Sequence, residues 1–306
     1  MSTDRSYTPL TEPAACAILV EAGLSLSPVQ VRLEAREDRW LVSLPNDRLA
    51  WFPANDRGRE RLAVERHVLR LLAKRCAFQV PRVLFESSKG WDVRAAVPGV
   101  CNPWTLYRRI LSDISLARSI GRAIGTILID QHTRVYRSDV TGWLRTRPEW
   151  PESTELIRRR LPEVIDDGNL LAEIDRALHA YDDVGVAVDD QVLVHGDLGL
   201  HNIAVDPETA EVRGVFDYDG ASWADRHHDF RYLLFDHERD DTLEAALAEY
   251  EPAVGRVISR RRIRLYNAAC AIGFLAFRRG IPAEERSCGR TLAEDLRWVR
   301  GALARL

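Results

Sequence analysis

The chain has 306 residues, 46% of them hydrophobic and 29% charged, with a formal net charge of −3. That length supplies ample core for one large domain or two lobes, and the balance is that of a water-soluble globular protein. A slightly acidic chain gives no electrostatic reason to expect nucleic acid, and no apolar run reaches the roughly eighteen residues needed to cross a bilayer.

Five scattered cysteines (Cys16, Cys76, Cys101, Cys270, Cys288) contain no C-x-x-C pair. Buried thiols in a reducing compartment are therefore expected, with neither disulfides nor zinc. The first apolar run, Ala14 to Val20, follows Asp4 and Arg5 and lacks the basic start and cleavage site of a secretory signal. A cytoplasmic location is the default expectation.

In chain order, Glu12 to Gly23 reads as a short amphipathic helix closed by Gly23. Three strand-like runs follow, Val29 to Ala35, Trp40 to Leu44 and Arg48 to Phe52, with Pro45-Asn46-Asp47 as the turn between the last two. Arg59 to Lys74 is helical, striped by Leu62, Leu69, Leu72 and Cys76, and Glu65 falls in the middle of that stripe. A carboxylate facing the interior is costly unless a cation meets it. Val83 to Glu86 and Trp91 to Val97 pair as strands across Ser87-Ser88-Lys89-Gly90.

The remainder is mostly helical. Asn102-Pro103 is a cap with proline at the first helical position. Ile120, Ile124, Ile127 and Leu128 mark a core helix ending near His132, and Val135 to Glu152 is loop-like. Helices over Ser153 to Ile165 and Asn169 to Tyr181 precede three short strands, Val192 to Val194, Ile203 to Val205 and Val212 to Phe216. Further helices are expected over Asp225 to Asp236, Thr242 to Tyr250, Ile258 to Arg279 and Ala283 to Arg305, the last striped by Leu292, Leu296, Val299 and Leu303.

The polar turn after Val194 carries His195, Asp197 and Asn202, and the next hairpin delivers Asp217. Two carboxylates and a carboxamide near one point suit phosphoryl transfer, which needs an oriented acceptor hydroxyl and hard oxygen ligands for Mg²⁺. Asp197 and Asn202 have the D-x-x-x-x-N spacing of a kinase catalytic loop, and Asp217 stands where a metal-binding Asp follows the next hairpin. With His195-Gly196-Asp197, Asn202 and Phe216-Asp217-Tyr218, the chain resembles the aminoglycoside phosphotransferase and choline kinase-like family. Ala224-Asp225 and Asp229 to Leu233 look like that family's D-x-x-x-D-L-A-x-L region.

The resemblance implies an α+β, bilobal protein kinase-like fold. Residues 1–97 form a β-rich N-lobe on the nucleotide side, and residues 98–306 form a mostly helical C-lobe. It implies that Asp197 orients or deprotonates the acceptor hydroxyl, that Asn202 and Asp217 hold Mg²⁺, and that His195 braces the loop. Asp229 is assigned to structural hydrogen bonding. Glu65 corresponds to the helical glutamate that pairs with a phosphate-gripping lysine. Backbone groups around Arg94 to Val97, Ala95 and Val97 among them, meet the adenine of ATP or the base of GTP.

Two features depart from the family. Trp51 stands where the third strand should carry Lys or Arg, and Leu33 to Arg39 has no glycine to let backbone amides approach phosphates. A substitute cation is sought in Arg32, Arg36 or Arg39. Arg36 and Arg48 are nucleotide-side candidates, although strand alternation turns Arg48 to the face opposite Trp51. Candidate acceptor-side residues are Asp219, Asp236, Glu238, Tyr266 and Asn267, with Phe274 on the same helix as the last two. Arg260-Arg261-Arg262 with Arg264 reads as a solvated face or an anion reader. His227-His228 weakly suggests a transition-metal pair.

The leading reading is a Mg²⁺-dependent kinase transferring the γ-phosphoryl of ATP or GTP to a hydroxyl of a small molecule. The alternative is a catalytically silent member of the fold that binds a metabolite or protein. A metal-dependent phosphoesterase ranks below both, because ligand motifs such as G-N-H-E are missing from the chain.

Overall fold

In a computed structural model, which describes residues 9–235 and 239–306, the chain divides into two units. One runs through Cys101 and takes in Asn202–Gly220; the other comprises Asn102–His201 and Ala221–Leu306.

The first unit opens with α1 (Glu12–Glu21), whose N-terminus is capped by the Thr11 hydroxyl. An antiparallel sheet follows: β1 (Arg32–Ala35), β2 (Arg39–Leu44), β3 (Arg48–Pro53), then α2 (Asp56–Arg75), β4 (Arg82–Glu86) and β5 (Asp92–Ala95), in the order β1-β2-β3-β5-β4. Asn46 and Asp47 both take left-handed φ values, 62° and 52°, in the β2–β3 turn. Asn and Asp tolerate that region better than most residues. Ala15, Cys16 and Leu19 of α1 pack with Val42, Ala50, Phe52 and Val93 of the sheet.

The second unit begins with α3 (Pro103–Ser112), capped by Asn102, and α4 (Ile114–Arg134). Then come α5 (Arg137–Val140), α6 (Thr154–Arg160), α7 (Gly168–Asp182) and β6 (Gln191–Val194). The hairpin β7 (Ile203–Val205) and β8 (Val212–Val215) returns to the first unit. The chain closes in the second unit with β9 (Ser222–Asp225), α8 (His227–Phe235), α9 (Asp240–Val254), α10 (Arg260–Phe277) and α11 (Leu292–Leu303). Residues of α6, α7, α10 and α11 build one buried core around Ile157, Leu178, Ile272 and Val299.

Three differences from the sequence-based expectations bear on function. The β7–β8 hairpin joins the first unit, whereas 1–97 was expected to stand alone. Val100 and Val205 exchange backbone hydrogen bonds of 2.8 and 2.9 Å, and Val215 donates to Gln79 O at 3.0 Å. A side chain at Gly214 would put its Cβ 2.3 Å from Gln79 O, so that join requires glycine. Secondly, Asp225, expected to open a helix, instead ends the strand Ser222–Asp225, which pairs antiparallel with β6. The four strand residues are all buried, and the helix begins at His227.

Thirdly, the last helix starts at Leu292, not Ala283. Thr291 and Glu294 form a capping box there, and the preceding residues are a loop. Among the described residues no cysteine is bonded to another; Cys16 and Cys270 are buried, but Cys101 and Cys288 are exposed. No described helix is long and apolar enough to cross a membrane.

Candidate active site

In the second unit, the apolar strand Val192-Leu193-Val194 ends in a turn whose bend is made at Gly196, with φ of 85°. That turn is fixed from beneath by Asp229 at the start of α8. Its carboxylate accepts the backbone N–H groups of His195 and Gly196, both at 3.0 Å, and the side chains of Gln131 and His132, both at 3.1 Å. Burial acts to raise the Asp229 pKa, but these partners outweigh it and hold the carboxyl below its usual range. Arg231, fully buried, donates to Gly196 O at 2.5 Å and to His228 O at 2.7 Å. His195 is buried, and its Nδ1 accepts the Asp197 N–H at 3.2 Å, a bracing contact.

Asp197 itself faces outward, with a side chain 44% exposed. His201 Nε2 lies 3.2 Å from its Oδ2, and the Tyr232 hydroxyl donates to it as well. Its surroundings raise the pKa by desolvation, yet the bonds from His201 and Tyr232 prevail and hold it at about 2. It is therefore an anion throughout the physiological range, as an orienting or proton-accepting carboxylate must be. Asp197 opens on a cavity of about 560 Å³ within the second unit, a size that accommodates a small molecule.

In the first unit, Asn202 and Asp217 stand at the two open ends of the β7–β8 hairpin, where Phe216 N donates to Asn202 O at 3.1 Å. A carboxamide and a carboxylate on neighbouring strand ends are hard oxygen donors, the set that Mg²⁺ takes. Asp217 has a φ of 68°, a left-handed conformation that costs a non-glycine residue energy and recurs at functional positions.

The cation question resolves in the same unit. Glu65 is 2% exposed and meets two guanidinium groups, Arg94 at 2.7 Å and Arg39 at 3.8 Å. The sheet register explains this. Trp51 lies opposite Leu41 on β2 and Asp92 on β5, so Arg39 and Arg94, each two residues along, share its face. Their guanidinium carbons lie 5.5 and 5.8 Å from the Trp51 ring, within cation–π range. The neighbouring strands thus supply the cations that β3 lacks. Arg39 and Arg61 also bind Asp219, and both hold Asp38 in the β1–β2 turn.

The remaining expected site residues make the following contacts. Arg36 pairs with exposed Glu34, and Arg48 donates to Pro45 O. Ala95 ends β5, and Val97 is buried against Gly214. Asp219 is engaged by the two arginines and does not line the Asp197 cavity. Tyr266 donates to Asp225 at 2.6 Å and lines a different cavity, while Asn267 is buried against Arg231 O. Phe274, about 12 Å further along α10, does reach the Asp197 cavity. Asp236 and Glu238 lie outside the described residues.

Arg260, Arg262 and Arg264 are engaged by acidic side chains, among them Glu244, Asp190 and Asp240. His227 pairs with Asp225 at 2.5 Å and accepts the Ser259 N–H. Among the residues that escaped sequence reasoning are Arg94 as a partner of Glu65, and His201 and Tyr232 as partners of Asp197.

His228 is buried and stacked on Tyr266 at 4.1 Å. Burial, helped by the charge of Arg231, pushes its pKa down to about 3, against opposing pulls from Asp225 and Asp229. The unfolded chain binds this proton below about pH 6.5 and the folded chain does not, so stability falls as pH drops from about 6.5 towards 3. Between pH 7 and 5, urea unfolding of the wild type should lose about 2 kcal/mol more than unfolding of a His228→Asn chain. Equal losses would mean that His228 is protonated in the folded state.

The sheet-and-helix architecture and the braced His-Gly-Asp turn are those of a phosphotransferase of protein kinase-like, α+β fold. Residues 19–266 match the model of the phosphotransferase enzyme family, and the chain belongs to that family. It is 28% identical over 196 residues to an aminoglycoside 3'-phosphotransferase of Streptomyces fradiae, covering 62% of this chain and 66% of that protein. A second match, to a streptomycin 3''-kinase of Streptomyces griseus, is 40% identical over 84 residues, covering 25% of this chain and 30% of the relative. The matched stretches thus span just under two thirds of the first relative and under one third of the second. Among solved structures, the GDP complex of wild-type aminoglycoside 2'-phosphotransferase-IIIa superposes with a TM-score of 0.72 at 14% identity. It covers 96% of this chain and 98% of that one. That likeness carries the fold.

Proposed function

We propose that the chain transfers the γ-phosphoryl group of ATP or GTP to a hydroxyl of a small molecule. The observation that carries this reading is the Asp197 carboxylate, ionised, half-exposed, opening on a cavity of about 560 Å³, on a turn braced by buried His195 and Asp229. In this role Asp197 orients the acceptor hydroxyl and takes its proton, while His201 and Tyr232 hold the carboxylate in position. Asn202 and Asp217 are the residues assigned to Mg²⁺, which when bound neutralises charge on the nucleotide phosphates. The hinge strand around Ala95 to Val97 is assigned to the nucleotide base. A cytoplasmic setting, where ATP and GTP are plentiful, suits this activity.

Arg39 is the cation assigned to the phosphates, in place of the missing lysine. It shares a sheet face with Trp51, approaches Glu65 as that lysine would, and is held by Asp219, two residues past Asp217. A carboxylate bound by two arginines marks a place where an anionic phosphate oxygen also fits.

Calorimetric titration with ATP and GTP tests this. Binding should require Mg²⁺, weaken about tenfold or more in Arg39→Ala, and strengthen in Asp219→Asn, which removes the competing carboxylate. Arg94 still pairs with Glu65, and Arg61 with Asp219, so the fold should persist in Arg39→Ala. Absence of binding at millimolar nucleotide would instead favour a silent protein of this fold.

A further inference from the structure

The walls of the Asp197 cavity have a chemistry of their own. The loop before α11 and the first turns of α11 contribute Arg286, Arg290 and Arg297, so three guanidinium groups line a space that also receives Asp197 and Glu294. Both carboxylates already have work inside the protein. Asp197 is held by His201 and Tyr232. Glu294 accepts the Thr291 N–H at 2.7 Å and its hydroxyl at 3.1 Å, capping α11; Arg286 pairs with Glu294 at 3.6 Å and also donates to Gly289 O. Among the described residues lining this cavity, no other carboxylate is present. A polycationic guest would bring ammonium groups up to three arginines, a like-charge juxtaposition that interfaces use to reject partners.

The aromatic lining leads the same way. Phe274 and Trp298 would offer faces to a cation, but Arg290 takes them: its guanidinium carbon lies 4.2 Å from the Trp298 ring and 5.2 Å from the Phe274 ring. Its Nε is fixed to Asp295 at 2.7 Å, so this stack is held from behind. On α3, Trp104 and Tyr107 add two more rings to the lining, with Trp104 60% exposed. Flat apolar surface beside exposed guanidinium groups matches a ring carrying a carboxylate.

We propose that this cavity selects a hydroxyl compound built on a flat apolar ring and carrying a carboxylate, and discriminates against polycations. Arg286 and Arg297, both exposed, receive the carboxylate; Trp104 and the Arg290–Trp298 stack receive the ring; Asp197 receives the hydroxyl. The inference rests on the phosphotransferase reading only in identifying this guest as the phosphoryl acceptor.

Three probes, each with one phenyl ring and an aliphatic hydroxyl and differing in charge, test it by calorimetry: 3-phenyllactate (anion), 3-phenylpropane-1,2-diol (neutral) and phenylalaninol (cation), with kanamycin as a polycation. In the wild type, phenyllactate should bind about tenfold or more tightly than phenylalaninol, with the diol between. In an Arg286→Glu, Arg297→Glu chain, altered only at exposed positions, the order should level or invert.

Tightest binding by phenylalaninol or kanamycin would overturn the proposal. So would an order unchanged by the charge reversal, or no binding of any probe at millimolar concentration. Binding is read without turnover, and Mg²⁺–nucleotide binding is measured on the same samples. A chain that ranks the probes as expected but ignores nucleotide keeps the pocket's selectivity and removes the phosphotransferase reading.

Discussion

Asp197→Asn should lower phosphoryl transfer by about 10³-fold, the scale of a lost general base, with little change in fold or nucleotide affinity. The carboxylate is half-exposed, and it accepts the buried Tyr232 hydroxyl. An asparagine keeps an oxygen for that hydroxyl, so the stability loss should stay within about 1 kcal/mol. Asp197→Ala removes the acceptor altogether and should be somewhat less stable and equally inactive. Because the Asp197 pKa is held at about 2, the carboxylate stays ionised as pH falls, and its protonation enters only near that value. Any acid limb of the rate profile between pH 5 and 7 must come from another group. Transfer that persists in both variants at the wild-type rate would remove Asp197 from the chemistry.

Asp229→Ala should be the most damaging single change for both stability and activity. The carboxylate is fully buried and takes the backbone N–H groups of His195 and Gly196 plus the side chains of Gln131 and His132. Its removal leaves these donors facing an apolar gap. The expected loss is about 3 to 5 kcal/mol, the scale for breaking a buried charged network from one side. The freed His195-Gly196 backbone no longer sets the direction of Asp197, so transfer should fall even where the variant remains folded. Asp229→Asn retains one carbonyl oxygen and should recover part of both. Urea unfolding and transfer rate, measured on the same preparations, check this. A loss below about 1 kcal/mol for Asp229→Ala would show that the turn is held by other contacts.

Much of this was legible in the chain because the relevant signals are local. Alternation and turn residues mark the strands of the first sheet, helical spacing marks α2 and α4, and the Asp197–Asn202 spacing marks the polar turn after β6. Glu65 on an apolar stripe required a cation, and that inference was sound as chemistry. Which cation answers it depends on strand register, a long-range property. Only once β3 pairs with β2 and β5 do Arg39 and Arg94 come to flank Trp51 on one face.

The loop before α11 was hidden for a different reason. Its organiser is Arg278, buried and donating to the carbonyls of Pro282, Glu285 and Arg290. An arginine near the end of an expected helix looks like a solvated charge. The T-x-x-E run at Thr291 to Glu294 was the available clue to where α11 starts. Taking that run as helix interior also concealed three arginines that line the Asp197 cavity. Tyr266 and Asn267 lie on α10 about two turns before Phe274, where that helix lines the Asp197 cavity.

The most direct test follows γ-labelled ATP and GTP in the presence of a pool of hydroxyl compounds, including aromatic hydroxy acids. Label should move to an acceptor only when Mg²⁺ is present and only in chains that keep Asp197. If label leaves neither nucleotide, or moves equally well in Asp197→Ala, this chain does not transfer phosphoryl groups by way of that carboxylate.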